Sequence, residues 1–169
     1  MAEVMNELNQ IEDTQKDKYL TFLIGEQIYA IEIRHVIEII GVQQITVIPH
    51  IPSYINGIIN LRGKVMPVMD VRTRLEKERV EYDERTCIIV IEYKEYTIGL
   101  IVDSVAEVLN IAFENVIPPP KINKEKSNLF VKGVGKEGSE VKLIIDCEAL
   151  LTDESELMAM ANIDEDRRA

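Results

Sequence analysis

The chain repeats itself, and that repetition restricts its fold more than any other feature. Val36-Ile37-Glu38-Ile39-Ile40 recurs as Val105-Ala106-Glu107-Val108-Leu109, and Val47-Ile48-Pro49 recurs at the same offset as Val116-Ile117-Pro118. Tyr54-Ile55-Asn56-Gly57-Ile58 recurs as Phe130-Val131-Lys132-Gly133-Val134, Asp70 as Asp146 and Leu75 as Leu151, all at a second, slightly larger offset. A longer loop in the second copy, Pro118 to Asn128, accounts for the change. An ordered set of Glu, Pro, Gly and Asp correspondences marks a duplication rather than a chance likeness of aliphatic runs. It predicts two similar subdomains, 19–81 and 82–151, meeting at a seam, with acidic tails at 1–18 and 152–169.

Each copy is made of short β-rich runs broken by turn residues. Tyr19 to Ile24, Gly25-Glu26-Gln27 and Ile28 to Ile33 read as a hairpin. Further runs lie at Val36 to Ile40, Ile45 to Ile48, Gly57 to Leu61 and Val65 to Val71. Ile, Val and Leu supply most of the apolar side chains, aromatics are only 5% of the chain and Trp is absent, so the core is expected to be β-branched and stranded. The chain of 169 residues can bury such a core. Short strands at this spacing predict an all-β fold of small barrels. At the ends, a nascent helix is expected over 4–11 and a short helix over 153–161, the second having acids in its first turn.

The formal charge is −11, of which Met1 to Lys18 contributes −3 and Thr152 to Ala169 contributes −4. The body between them is nearly balanced, and its bases are not clustered. Nucleic acids and acidic membranes, which bind clustered Lys and Arg, are therefore poor partners. The start lacks a basic segment followed by an apolar one, and no run approaches the ~18 apolar residues of a membrane span, which predicts a cytoplasmic protein without direct membrane insertion. Cys87 and Cys147 have no C-x-x-C spacing, and His35 and His50 have no second ligand at metal spacing. No metal and no cofactor is expected.

Catalytic frames are missing too. No G-x-S-x-G occurs, and Gly133-Val134-Gly135-Lys136-Glu137-Gly138-Ser139 departs from a phosphate-binding loop, since Lys136 precedes Glu137. That segment reads as a hairpin turn. Asp70 and Asp146 each follow an apolar strand, as a helix N-cap or a turn residue would, and their recurrence in both copies marks scaffold rather than active site. Arg72 to Arg85 alternates bases with acids and reads as a solvated linker. A small-barrel nucleic-acid binder would need aromatic platforms and a basic groove, neither of which is present. The chain reads as a non-catalytic binding module.

One segment stands apart. Pro49 to Asp70 joins a proline-fixed entry loop to a strand, a tight Arg62-Gly63-Lys64 turn and a return strand in which Pro67 implies an edge or a bulge. Arg62 sits at the hairpin tip, where a guanidinium fork meets a carboxylate of this chain or of a partner. Asn60-Leu61-Arg62-Gly63 does not recur in the second copy. The stretch Gly57-Ile58-Ile59-Asn60-Leu61-Arg62-Gly63-Lys64-Val65-Met66-Pro67-Val68-Met69-Asp70 closely resembles the signature of the CheW-like family, the chemotaxis coupling proteins. Residues 19–151 are similar to that family in length, strand order and duplication. Met66 and Met69 stand where the family more often has aliphatic residues, and the tails lie outside the resemblance.

The resemblance implies two SH3-like five-stranded barrels that carry no chemistry and link transmembrane chemoreceptors to a CheA-type histidine kinase through its regulatory domain. It implies that a receptor's helical hairpin tip lies in an apolar groove at the seam, which by position includes Leu23, Val36, Ile39, Val105 and Val108. Glu38 and Arg62 take the positions of a charged pair beside that groove. The loop from Gly41 to Ile45, with Val42, Gln44 and Ile45, takes that of a kinase contact. An amphipathic helix in such a groove is held by a few aliphatic anchors and a polar rim.

Overall fold

The computed structural model describes residues 15–119 and 129–152. The aliphatic runs form strands β1 (Lys18–Ile24), β2 (Gln27–Glu32), β3 (Val36–Gly41), β4 (Ile55–Leu61), β5 (Lys64–Asp70), β6 (Cys87–Tyr93), β7 (Tyr96–Val102), β8 (Ser104–Asn110), β9 (Val116–Ile117), β10 (Val131–Glu137) and β11 (Glu140–Ile145). Helices α1 (Val71–Arg74) and α2 (Cys147–Leu151) follow β5 and β11. The repeat holds its register: β6 is displaced from β1 by the first offset of the sequence repeat, and β10 and α2 from β4 and α1 by the second. Asp70 and Asp146 cap the two helices, each carboxylate accepting from the backbone N–H three residues on, at 3.3 and 3.2 Å. The helices expected over 4–11 and 153–161 lie outside the described residues.

The strands form two sheets, in the orders β8-β1-β2-β11-β10-β9 and β3-β6-β7-β5-β4. These sheets cross the division drawn at residues 81 and 82. The five-stranded sheet is one continuous piece, from β3 to β7, whereas the six-stranded sheet joins β1 and β2 to β8 through β11. Each half has lent its first hairpin to the other. The sequence register could not show this, because a reciprocal exchange leaves every equivalent contact in place.

The run Ile45 to Ile48 does not form a strand. It makes a single bridge, with Thr46 N–H donating to the Ile58 carbonyl and Ile58 N–H to the Thr46 carbonyl, both at 2.9 Å. Because Thr46 follows β3 at one edge and Ile58 lies in β4 at the other, this bridge curls the sheet into a barrel. Pro67 is not on an edge strand, since β5 runs between β7 and β4. Pairing with β7 begins only at Val68, however, so the proline precedes the ladder that its missing N–H would interrupt.

The main core is shared. Leu20, Phe22, Ile24, Tyr29 and Ile31 of one sheet pack with Ile89, Ile91, Ile98, Leu100 and Val102 of the other. The opposite faces of β5 and β6 turn inward, so that Met66, Val68, Ile88 and Val90, with Ile59 and Ile101, fill the five-stranded barrel. Residues 88–91 are thus buried on both faces. In the other barrel Lys142 takes the place equivalent to Met66, with Nζ 3.2 Å from Glu137 and 3.4 Å from Glu140.

The stretch after β5 is not the solvated linker that its alternating charges suggest. The Tyr82 hydroxyl donates to Asp70 at 2.7 Å and accepts from Asn56 at 2.6 Å, and Arg79 donates to Asn56 at 2.9 Å. Burial, and then the bond to the Asp70 carboxylate, push the Tyr82 phenol up to about 12. Arg72 grips Asp103 with both arms of its fork, Nε donating at 2.7 Å, and Gly25 N–H donates to the same carboxylate at 2.7 Å. Asp103 is the single residue between β7 and β8, where the chain passes from one sheet to the other.

Burial alone would raise the Asp103 carboxyl, but the Arg72 hydrogen bond, the Gly25 N–H and the Arg72 charge together hold it below the usual carboxylate range. A carboxyl depressed in the folded state contributes stability that is complete above its unfolded value, about 3.9, and is lost as pH falls through the folded one. Asp103→Asn is therefore expected to cost about 1.5–3 kcal/mol at neutral pH. Urea melts should show that deficit shrinking below pH ~4.

Candidate interaction site

The hairpin tip is built by its backbone. Arg62 and Gly63 have φ of 52° and 86°, so both central residues are left-handed, as a two-residue hairpin turn requires. Gly63 N–H donates to the Asn60 side chain at 2.9 Å, and Leu61 pairs with Lys64 across the turn. Arg62 is thereby projected outward, with 71% of its side chain exposed, and its guanidinium pairs with Glu38 on β3. Glu38 is half-buried at 28%. The pair spans the same two sheet edges as the Thr46–Ile58 bridge. An ion pair this exposed contributes only ~0–1 kcal/mol to stability, so the free face of Arg62 is more valuable for contact than for folding.

The apolar candidates fall on the two equivalent strands β3 and β8, each at one end of its sheet. On β3 a bulge between Val36 and Glu38 lets residues three apart face the same way: Val36 pairs with Ile91 and Ile39 with Ile89, and both of these isoleucines lie in the shared core. On β8 the matching irregularity pairs Val105 with Phe22 and Val108 with Leu20. Val36 and Val105 pack against the shared core, whereas Ile39 and Val108 are 44% and 54% exposed. Each of these strands thus inserts one valine into the seam and leaves the next residue of that face open to solvent.

Leu23 does not join this set. It pairs with Ser104 and Ile28, on the face of β1 opposite Phe22. In the loop after β3, Val42 and Gln44 are exposed, but Ile45 is half-buried against the core of the five-stranded barrel. The anchoring of Ile45 fixes the loop, and Val42 and Gln44 remain its accessible side chains. Ile37, 49% exposed on β3, belongs with Ile39 as open apolar surface, and the sequence does not single it out. Exposure alternates along β3, which places Ile37 and Ile39 together among its exposed residues.

Cys147 is buried in apolar surroundings that push its thiol up to about 12, which makes it a core residue. His35 lies in a 3₁₀ turn with its ring edge against Tyr93, and His50 is exposed with left-handed backbone. Among the described residues no group of His, Cys, Asp or Glu is arranged to hold a metal ion, and no helix is long and apolar enough to cross a membrane.

Comparison with known proteins points one way. Residues 18–155 match the CheW-like domain. The chain is 34% identical over 150 residues to the chemotaxis protein CheW of Klebsiella aerogenes, covering 89% of each chain. It is 32% identical over 144 residues to the chemotaxis protein CheW of Bacillus subtilis, covering 85% of this chain and 92% of that one. The crystal structure of the scaffolding protein TtCheW from Thermoanaerobacter tengcongensis is similar to it with a TM-score of 0.76 at 34% identity, over 82% of this chain and 94% of that one.

Proposed function

Because this chain belongs to the CheW-like family of chemotaxis scaffolds, we propose that it is a non-catalytic adaptor that couples chemoreceptors to a CheA-type histidine kinase. The observation that carries this reading is the matched pair of apolar strands. Val36 and Ile39 on one and Val105 and Val108 on the other present equivalent aliphatic side chains, with the exposed Arg62–Glu38 pair beside β3. Such a surface fits the apolar stripe of a receptor's helical hairpin tip, with Arg62 supplying the polar rim. The kinase's regulatory domain is assigned to the loop after β3, through Val42 and Gln44. By these contacts the adaptor is recruited to membrane receptor arrays. A nucleic-acid-binding reading has no support in either the relatives or the charge.

Arg62 is the residue to test first. Arg62→Glu places two carboxylates together and removes the guanidinium from the rim. It is expected to weaken binding to the receptor fragment, the kinase domain or both by about tenfold, equivalent to ~1.4 kcal/mol. The melting temperature should change little, because the pair is exposed. Isothermal titration against each partner reads the effect, and unchanged affinity for both would remove Arg62 from the site.

A further inference from the structure

From the packing around Arg74 we infer that this residue fixes the angle between the two barrels and so acts as the positioning residue through which docking on one barrel is felt by the other. The inference rests on the adaptor reading above. Arg74 ends α1 and is only 3% exposed. Its Nε donates to the Leu150 carbonyl at 3.0 Å, and one terminal nitrogen donates to the carbonyls of Ala149, at 3.4 Å, and Thr152. These carbonyls belong to the end of α2, where a helix leaves acceptors unfilled. The guanidinium carbon lies 4.0 Å from the centre of the Tyr54 ring and 4.7 Å from that of Phe130, so cation–π attraction adds to the hydrogen bonds.

Each of these partners has a meaning in the repeat. Tyr54 and Phe130 are equivalent residues of the two copies, and so are Arg74 and Leu150. Tyr54 immediately precedes β4, and α1, which ends at Arg74, follows β5 directly, so both strands of the Arg62 hairpin are rooted at this guanidinium. Phe130 and α2 stand in the same relation to β10 and β11 in the other sheet. One side chain from the first half thus ties together the roots of two equivalent hairpins, one in each sheet. A planar fork with directed donors adds a directional constraint to the apolar packing between the halves.

The test uses the full chain with Cys87→Ser and spin labels at Val65→Cys and Val141→Cys, equivalent exposed positions on β5 and β11. Cys147 is buried and is not labelled. Pulsed electron–electron resonance gives the interbarrel distance, and reconstitution with receptor fragment and kinase gives receptor-dependent kinase activity. With Arg74→Met the distance distribution should broaden and each binary affinity should stay unchanged, while receptor-dependent activity falls about tenfold, a typical size for a coupling between sites. Arg74→Lys, which keeps a donor, should recover part of both. A methionine variant with the wild-type distance and full coupling overturns the inference. If that variant does not fold, the lysine variant is held to the same two readouts. Wild-type protein that fails to couple at all would instead overturn the adaptor reading.

Discussion

Gly57→Ala is expected to destabilise the protein by roughly 3 kcal/mol, combining backbone strain and forced displacement at ~1–3 kcal/mol each. Gly57 has φ of +150°, a conformation L residues rarely adopt. A β-carbon there would also collide with the Thr46 carbonyl oxygen, 2.8 Å from the carbonyl carbon and 2.9 Å from a methyl of Ile45. The first two are backbone atoms and cannot rotate away. They belong to the segment whose bridge to Ile58 closes the five-stranded barrel, so relief of the clash requires breaking that bridge. Thermal denaturation should show a drop of about 6–12 °C. Because the bridge also anchors the loop carrying Val42 and Gln44, the proposed kinase contact should weaken together with stability.

Phe22→Ala should cost ~3–5 kcal/mol, the usual range for deleting a buried aromatic ring. Phe22 is 1% exposed and stacks on Tyr29 with ring centres 5.9 Å apart. It lies in the core shared by both sheets, so its removal should lower a single unfolding transition rather than melt one barrel ahead of the other. Calorimetry distinguishes these outcomes. Val65→Ala, at an exposed position, should stay within ~0.5 kcal/mol of wild type.

What can be read from the sequence follows from how local each feature is. The hairpin at Gly25 and the tight turn at Arg62-Gly63-Lys64 form as predicted, and Asp70 and Asp146 take the cap rather than the turn alternative, because each feature depends on residues within a few positions of one another. The Glu38–Arg62 pair is longer in range and is legible only through the family likeness. The exchange of hairpins is not legible, because residues such as Ile88 to Ile91 are apolar on both faces and alternation cannot name the neighbour of either face. Leu23 falls outside the seam for a related reason, since period two gives two faces without saying which one is the seam. Arg72 and Arg74 look like members of a solvated charge run. Their roles depend on Asp103, Ala149, Leu150 and Thr152, far away in the chain, and nothing within the run signals them.

The proposed coupling of two partners is tested by co-elution of the full chain with a CheA-type regulatory domain and a chemoreceptor hairpin fragment on size exclusion. An adaptor of this kind gives a stoichiometric binary complex with each partner and a ternary complex containing all three. Failure of the chain to co-elute with either partner, under conditions where the partners themselves are folded, would contradict it.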